Sequence, residues 1–298
     1  MFPRTAFQLL LALLASALTA SAAHPFLCCD YNGDKVCQVA ADGAIEWQFD
    51  CKHPQDCWRL PSGNTLICFV SGALELTPDK QTVWEYKAPD KTEVHACQPL
   101  PDGNVLVVEC GSSRLVEVDR AGQISKEIKL TTKPDVKLHN QFRGARKLPN
   151  EHYLVCFKGE GKVVELDADG TTLREVQVPG DPHEVVPLPE DRLLITCGDG
   201  HKVLEVDADN NIVWQLNEND LPGNPLRLMG GCQRLPNGNT VFCNYLGHGH
   251  VGEQPQFFEV TRDKQVVWQF DDHAHFKTIN QIQLLDVQGD VTKGEILR

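Results

Sequence analysis

The sequence predicts an all-β protein, a six-bladed β-propeller of four-stranded antiparallel blades whose last blade is shared by the N- and C-termini. A Leu-Pro turn phrase recurs every 40 to 50 residues, a Glu-Val-Asp-like strand end follows each copy, and most of the chain shows no helical periodicity. Repeats of this length that contain several short strands are typical of propeller blades. The length of 298 residues fits one large all-β domain.

Each repeat opens with a short apolar run, a Leu-Pro pair and a turn. Gly, Asn and Asp favour the backbone conformations of tight turns, so the phrase predicts a hairpin between the first two strands, A and B. The copies begin at Leu60, Leu100, Leu148, Leu188 and Leu235, with a degraded copy at Leu285.

A second phrase marks the end of strand C, where a tight turn leads into strand D. Its copies are Glu75–Thr77, Glu117–Asp119, Glu165–Asp167, Glu205–Asp207 and Glu259–Thr261. Strand D then carries Trp47, Trp84, Lys126, Arg174, Trp214 or Trp268 at the equivalent place. Each repeat therefore contains four strands.

The chain ends complete the sixth blade. Residues 26–49 contain strands B, C and D with no strand A before them, and residues 279–286 supply a strand A with no blade after it. Pairing the two ends in one blade removes exposed sheet edges and closes the ring.

The N-terminus reads as an export signal. Arg4 precedes an apolar segment from Phe7 to Leu18, and small residues follow it. We expect residues 1–23 to be a signal peptide, residues 24–298 to be the propeller, and the protein to be secreted or periplasmic. The net charge of −13 argues against nucleic acid and anionic membranes as partners. We expect a monomer that does not insert into membranes.

The histidines are predicted to gather on one face of the ring. In a four-stranded blade, the D–A and B–C connections share one face, here called the top face, and the A–B and C–D turns share the other. Nine of the eleven histidines fall on the top face. These are His53, His95, His139, His183, His273 and His275 before or at strand A, and His201, His248 and His250 in B–C connections.

A polar ring is predicted at the mouth of the central channel, where strand A begins. The positions five residues before each repeat leucine are Gln55, His95, Arg143, His183, Gly230 and Asn280. Such groups converge on an anion or a polar small molecule, so Gln55, His95, His139, Arg143, His183 and Asn280 are the candidate ligand-binding residues. The alternative is that they cap strand ends around a water-filled channel.

Two His-x-His pairs, His248 with His250 and His273 with His275, lie in connections of neighbouring blades. Extended His-x-His places both imidazoles on one side, so the four side chains are a candidate zinc or copper site. No carboxylate or cysteine at a known metal-ligand spacing accompanies them.

The positions of the twelve cysteines in the sequence do not define a disulfide pattern. Cys57 with Cys68, and Cys232 with Cys243, are predicted to lie directly opposite each other across strands A and B, within disulfide reach. The same column holds small residues of other kinds in other blades, so we favour cysteine as a small buried apolar residue.

The turn phrase, the Glu-Val-Asp strand end and Gly43-x-x-x-Trp47 resemble the repeats of the pyrroloquinoline-quinone-like and arylsulfotransferase-like propellers. The resemblance implies a propeller and leaves function open, since that superfamily contains quinoprotein dehydrogenases, histidine-dependent sulfotransferases and scaffolds. With a sulfotransferase mechanism, His95 or His183 would be the nucleophile, Arg143 would hold the sulfuryl group and Asn280 would assist. Pyrroloquinoline quinone is not expected, because no quinone site is recognisable.

We therefore expect an exported binding or scaffold module that recognises a polar or anionic small molecule, a glycan or a protein on its top face. The alternative is a transferase, hydrolase or lyase that uses His95, His183 and Arg143 for catalysis. A quinone-dependent oxidoreductase ranks last.

Overall fold

A computed structural model describes residues 23–296 and 298, and it confirms the predicted six-bladed propeller. The predicted signal peptide, apart from Ala23, lies outside the described residues. In chain order the strands are β1 (Phe26–Asp30), β2 (Lys35–Val39), β3 (Ile45–Asp50), β4 (Pro54–Arg59), β5 (Thr65–Phe69), β6 (Gly72–Leu76), β7 (Thr82–Lys87), β8 (Glu93–Pro99), β9 (Val105–Cys110), β10 (Arg114–Val118), β11 (Ile124–Lys129), β12 (Ala145–Lys147), β13 (Tyr153–Phe157), β14 (Lys162–Leu166), β15 (Thr172–Gln177), β16 (Glu184–Leu188), β17 (Arg192–Thr196), β18 (Lys202–Val206), β19 (Ile212–Asn217), β20 (Leu228–Arg234), β21 (Thr240–Tyr245), β22 (Phe257–Val260), β23 (Val266–Phe270) and β24 (Ile279–Leu284).

Three short 3₁₀ turns complete the described part of the chain, at Leu138–Asn140, Lys158–Glu160 and Val291–Lys293. None of the described helical segments is long and apolar enough to cross a membrane.

Six antiparallel sheets of four strands form the blades. Five of them are continuous in sequence, and the sixth has the order β24-β1-β2-β3. In that sheet Phe26 faces Leu284 and Cys28 faces Ile282, so the first and last described strands are hydrogen-bonded neighbours. The predicted closure of the ring by the two chain ends is confirmed.

The Leu-Pro hairpins are three-residue turns that end on a left-handed residue. In the blade formed by β4 to β7, the Leu60 amide donates to the Asn64 carbonyl at 2.9 Å, and the Gly63 amide donates back to the Leu60 carbonyl at 2.9 Å. Gly63 has φ +85°, and Gly103 has φ +86° in the equivalent turn of the next blade. Glycine adopts this conformation without the steric cost that a Cβ atom brings.

This turn corrects the predicted cysteine register. Cys57 faces Ile67, and Cys68 faces Asp56, so the two cysteines are offset by one position. Cys232 likewise faces Phe242 rather than Cys243. The prediction assumed a two-residue turn, and one extra turn residue moves the side chains to opposite sides of the sheet. All twelve cysteines are buried and free.

The apolar core lies between neighbouring blades. Phe26 of the shared blade packs edge-on against Phe257, at 4.9 Å between ring centroids, and against Phe270, at 5.1 Å. Trp58 is 1% exposed, and its indole nitrogen donates to the Cys97 carbonyl of the next blade at 2.7 Å. Such contacts bury the flat face of each sheet and fix its position in the ring.

Strand A of each blade lies innermost, and a buried polar network joins four of these strands. Arg146 Nη2 donates to Glu184 Oε2 at 2.9 Å, and Gln281 Nε2 donates to the same oxygen at 2.7 Å. Arg298 donates to Asp56 Oδ1 at 2.7 Å, and its carbonyl accepts from Arg146 Nε at 2.9 Å. Two arginines and two carboxylates thus balance one another inside the ring.

Candidate functional site

A cavity of about 270 Å³ opens at the top face, where the connections that precede strand A meet the B–C connections. Its lining is mostly polar and comes from five of the six blades. The lining residues are Tyr31, Gln55, His139, Asn140, Arg143, Lys158, His183, Asp199, Leu228, Tyr245, His248 and Asn280.

The structure brings most of the predicted ligand-binding residues together. Gln55, His139, Arg143, His183 and Asn280 all line this cavity. They meet there because the first residues of neighbouring innermost strands converge on the axis of a closed ring.

His95 is set back from the cavity. Its side chain is fully buried, and its Nδ1 contacts Arg143 Nη1 and lies 3.1 Å from the Phe142 carbonyl oxygen. His95 therefore adjoins the cavity through Arg143 instead of lining it.

Arg143 places a charged guanidinium at the cavity wall. The residue is 7% exposed, and Nη1 donates to the carbonyl oxygens of His139, at 2.6 Å, and Phe142, at 2.8 Å. Burial lowers the pKa of Arg143, but a guanidinium stays charged at neutral pH. Among the described residues, no carboxylate lies within 4.0 Å of it. The cavity therefore presents a cation that lacks an ion-pair partner within this part of the chain.

Two further polar atoms in the cavity wall have no hydrogen-bond partner among the described residues. They are His183 Nε2 and Asn280 Oδ1, and both are buried. Asn280 uses its amide nitrogen on the carbonyls of Pro54 and Gln55, both at 3.2 Å, which fixes the direction of its oxygen. Burial, followed by the nearby charge of Arg143, lowers the pKa of His183 well below the ordinary value. Its imidazole is therefore neutral at pH 7.

Beside the cavity, Glu93, His95 and His139 form a compact cluster. Glu93 Oε2 lies 2.9 Å from His95 Nε2 and 2.7 Å from His139 Nδ1. One potential ligand atom from each of the three lies within 4.8 Å of the other two. The hydrogen bond from His95 lowers the pKa of Glu93 to about 2, and burial lowers that of His95 to about 3. Two imidazoles and one carboxylate can hold a divalent metal ion.

The four His-x-His histidines each have a separate acidic neighbour. His248 Nδ1 lies 3.0 Å from Asp199, and His250 Nδ1 lies 2.7 Å from Glu253. His273 Nε2 lies 3.0 Å from Asp271, and His275 Nδ1 lies 2.8 Å from Asp272. A zinc or copper site formed by the four together stays a prediction.

Sequence reasoning missed seven residues of this region, among them Asn140 and Leu228 of the cavity lining. Tyr31, Lys158, Asp199 and Tyr245 lie at or beside B–C connections, and the face rule that sorted the histidines also places them on the top face. Glu93 lies two residues before His95 on strand β8, and the β-bulge between Val94 and Ala96 that separates them was not predicted. Lys158 is paired with Asp181 at 2.7 Å, so it leaves Arg143 as the unpaired cation of the cavity.

Comparisons with known proteins support the propeller. A family model described as Mal s 1 allergenic protein-like matches residues 39–265. No curated protein matches the sequence significantly. A crystal structure of a protein of unknown function from Bacteroides caccae has a TM-score of 0.79 and 29% identity, over 87% of this chain and 97% of that one.

Two solved lyases share the fold at lower identity. A catalytically inactive variant of virginiamycin B lyase from Staphylococcus aureus, solved with quinupristin, has a TM-score of 0.55 and 16% identity, over 74% of this chain and 70% of that one. A streptogramin B lyase has a TM-score of 0.62 and 12% identity, over 89% of this chain and 91% of that one. These matches do not carry the finer resemblance to quinone-like and arylsulfotransferase-like repeats, which stays a prediction.

Proposed function

This chain belongs to the Mal s 1 allergenic protein-like family, and we propose that it is an exported binding propeller whose top-face cavity takes a small anionic molecule that also carries hydroxyl groups. The observation that carries the proposal is Arg143. Its buried guanidinium faces the cavity, and no described carboxylate lies within 4.0 Å of it. Buried charges in proteins are normally paired, so a bound anion is the partner that this group lacks.

The size of the cavity favours a small ligand over a protein or a long glycan. Its volume of about 270 Å³ lies just below the usual range of ligand pockets, which begins at about 300 Å³. A single sugar acid or a similar hydroxylated carboxylate fits such a space.

The unpartnered polar atoms define what the ligand carries besides its charge. Asn280 Oδ1 accepts a hydrogen bond, and neutral His183 Nε2 either donates or accepts one. A hydroxyl group satisfies either atom, whereas an apolar ligand would leave both buried without partners. The ligand is therefore expected to combine an anionic group at Arg143 with hydroxyls near His183 and Asn280.

The binding proposal is tested by isothermal titration calorimetry with glucuronate and sulfate as probes. We expect glucuronate to bind more tightly than sulfate, because it can also hydrogen-bond through its hydroxyls. Arg143→Gln is expected to weaken glucuronate binding by about 10- to 100-fold, the effect of losing a charged hydrogen bond.

Arg174→Gln is the matched control. Arg174 lies on outer strand β15 and bonds to Asn210 Oδ1 at 2.7 Å, remote from the cavity lining. Its loss should leave the affinity unchanged. Equal affinities of wild type and Arg143→Gln, or no binding of either probe, would contradict the proposal.

A second candidate function is a lyase or another enzyme that uses His183 as a base. The specific observation is the unpartnered, buried Nε2 of a neutral imidazole beside a cationic group. The named lyases among the structural neighbours make a lyase the natural form of this candidate. In this case NMR would show glucuronate derivatives being converted, and His183→Asn would bind the substrate without converting it.

A further inference from the structure

We propose that Glu93, His95 and His139 bind one zinc ion at the edge of the top-face cavity. This site is separate from the four His-x-His histidines, and it does not depend on the identity of any organic ligand. It goes beyond the proposed function because it assigns a metal to residues that the anion proposal does not require.

The ligand atoms already converge. Both imidazole nitrogens face the same carboxylate oxygen of Glu93, at 2.9 Å from His95 and 2.7 Å from His139. Zinc binds nitrogen and oxygen ligands at about 2.0 to 2.2 Å, so tetrahedral ligand atoms lie about 3.4 Å apart. Outward movements of a few tenths of an ångström would open the cluster enough to hold the ion.

His95 can present either ring nitrogen as a lone pair. With its proton on Nε2, that nitrogen donates to Glu93, and Nδ1 accepts from Arg143 Nη1. With its proton on Nδ1 and directed at the Phe142 carbonyl, His95 has a lone pair on Nε2 that faces Glu93, and a cation between them satisfies both groups. Arg143 Nη1 then keeps the His139 and Phe142 carbonyls as acceptors for its two hydrogens.

That arrangement matches the usual environment of a metal-binding histidine. Such histidines generally donate their other ring N–H to a backbone carbonyl or a carboxylate, which fixes the tautomer and the ring orientation. His95 Nδ1 lies 3.1 Å from the Phe142 carbonyl, and the side chain is fully buried. His95 is therefore held with Nε2 directed at Glu93.

The three ligands come from two well-anchored segments. Glu93 and His95 lie two residues apart on strand β8, across a β-bulge between Val94 and Ala96, and their side chains meet at 2.9 Å. His139 lies in the 3₁₀ turn Leu138–Asn140, where the Asn140 amide donates to the Lys137 carbonyl at 2.8 Å. The next residue, Gln141, accepts from the Gly111 amide at 2.6 Å, which ties this turn to the blade that carries β8.

The site would keep an open coordination position. Three protein ligands with a free fourth position are typical of catalytic zinc sites, whereas structural sites use four protein ligands. His139 is also part of the cavity lining, so the ion would lie at the cavity edge. Zinc and Arg143 together with Glu93 would give this region a net positive charge, which an anion or hydroxide at the open position offsets.

The experiment measures metal binding without any organic ligand. The purified protein is stripped with a chelator, titrated with zinc by calorimetry, and loaded with cobalt(II) as a spectroscopic probe. We expect one equivalent of zinc, and a cobalt spectrum with visible absorption typical of four-coordinate nitrogen and oxygen ligands. His139→Ala and Glu93→Gln should each lower the zinc affinity by at least about 10-fold.

His152→Ala is the matched control. His152 makes the same kind of contact, 2.8 Å from Glu165 Oε1, but it lies on the opposite face. Its removal should leave zinc binding unchanged. His139 has a half-exposed side chain, so His139→Ala should fold, which circular dichroism checks.

Less than a tenth of an equivalent of zinc in the wild type would overturn the metal proposal. So would full binding by both ligand variants together with loss on replacing His248 and His273. Either result would leave the anion proposal intact, because glucuronate binding is measured separately with Arg143→Gln.

Discussion

At the scale of single residues, the top-face mouth differs from the rest of the ring in how its polar groups are satisfied. Inside the channel, Arg146 and Glu184 form a 2.9 Å hydrogen bond within a balanced network. At the mouth, no described carboxylate lies within 4.0 Å of Arg143, and His183 Nε2 has no described hydrogen-bond partner. Polar groups that lack such stabilising partners within the protein are characteristic of sites that bind a ligand.

The lowered pKa of His183 makes the stability of the folded protein depend on pH, and this dependence can be measured. Its pKa in the folded protein lies well below the ordinary value of about 6.5 that it has in the unfolded chain. As the pH falls from about 7 to about 5, the unfolded chain takes up a proton that the folded protein refuses, so stability is lost. We expect the unfolding free energy of wild type to fall more steeply over this range than that of His183→Asn. Parallel curves in urea unfolding would contradict a neutral His183 with a buried Nε2.

At the scale of elements, the Leu-Pro hairpin determines which residues face each neighbouring blade. The repeat spacing predicts its position, because Leu, Pro and Gly recur at fixed intervals. The repeat spacing does not determine the number of turn residues, because Ser62-Gly63 fits either a two-residue turn or the end of a three-residue turn. The one additional turn residue places Cys57 and Cys68 on opposite faces of the sheet, whereas the sequence predicted that they lie directly opposite each other.

The left-handed glycine of this turn can be tested at Gly103. A Cβ atom there would come no closer than 4.0 Å to Arg120, so substitution meets no steric clash with the surroundings. The remaining cost is that of φ +86° for a residue with a side chain, which we expect to lower the unfolding free energy of Gly103→Ala by about 1 to 2 kcal/mol.

Glu151 offers the reverse change as a control. It occupies the equivalent turn position of the next blade with φ +67°. Because glycine relieves that conformation, Glu151→Gly should not show a comparable loss in chemical denaturation. If Gly103→Ala were as stable as wild type, the described turn geometry would be wrong.

At the scale of the whole molecule, the ring converts distant sequence positions into one site. The repeat predicted the blade number and the convergence of Gln55, Arg143, His183 and Asn280, because equivalent positions in a closed ring meet at the axis. It could not predict the contact of Glu93 with His139, or the pairing of Lys158 with Asp181. Those contacts depend on the paths of individual connections, which vary from blade to blade and carry no repeat signal.

A second arginine cluster on the propeller provides an internal comparison for anion binding. Arg192 and Arg234 lie 2.9 Å and 2.7 Å from Glu205, and Arg262 also contacts this carboxylate. These arginines belong to a shallow cavity near the Leu188-Pro189 turn, on the face opposite the mouth. They share an internal counter-ion, whereas no described carboxylate lies within 4.0 Å of Arg143.

The most direct measurement is the anomalous scattering of selenium in crystals grown with selenate, a tetrahedral dianion. We predict a selenium peak in the top-face cavity, within about 4 to 5 Å of the Arg143 guanidinium carbon, as hydrogen-bonded arginine–oxyanion pairs require. Selenate bound only at Arg192, Arg234 and Arg262, with no peak beside Arg143, would contradict it.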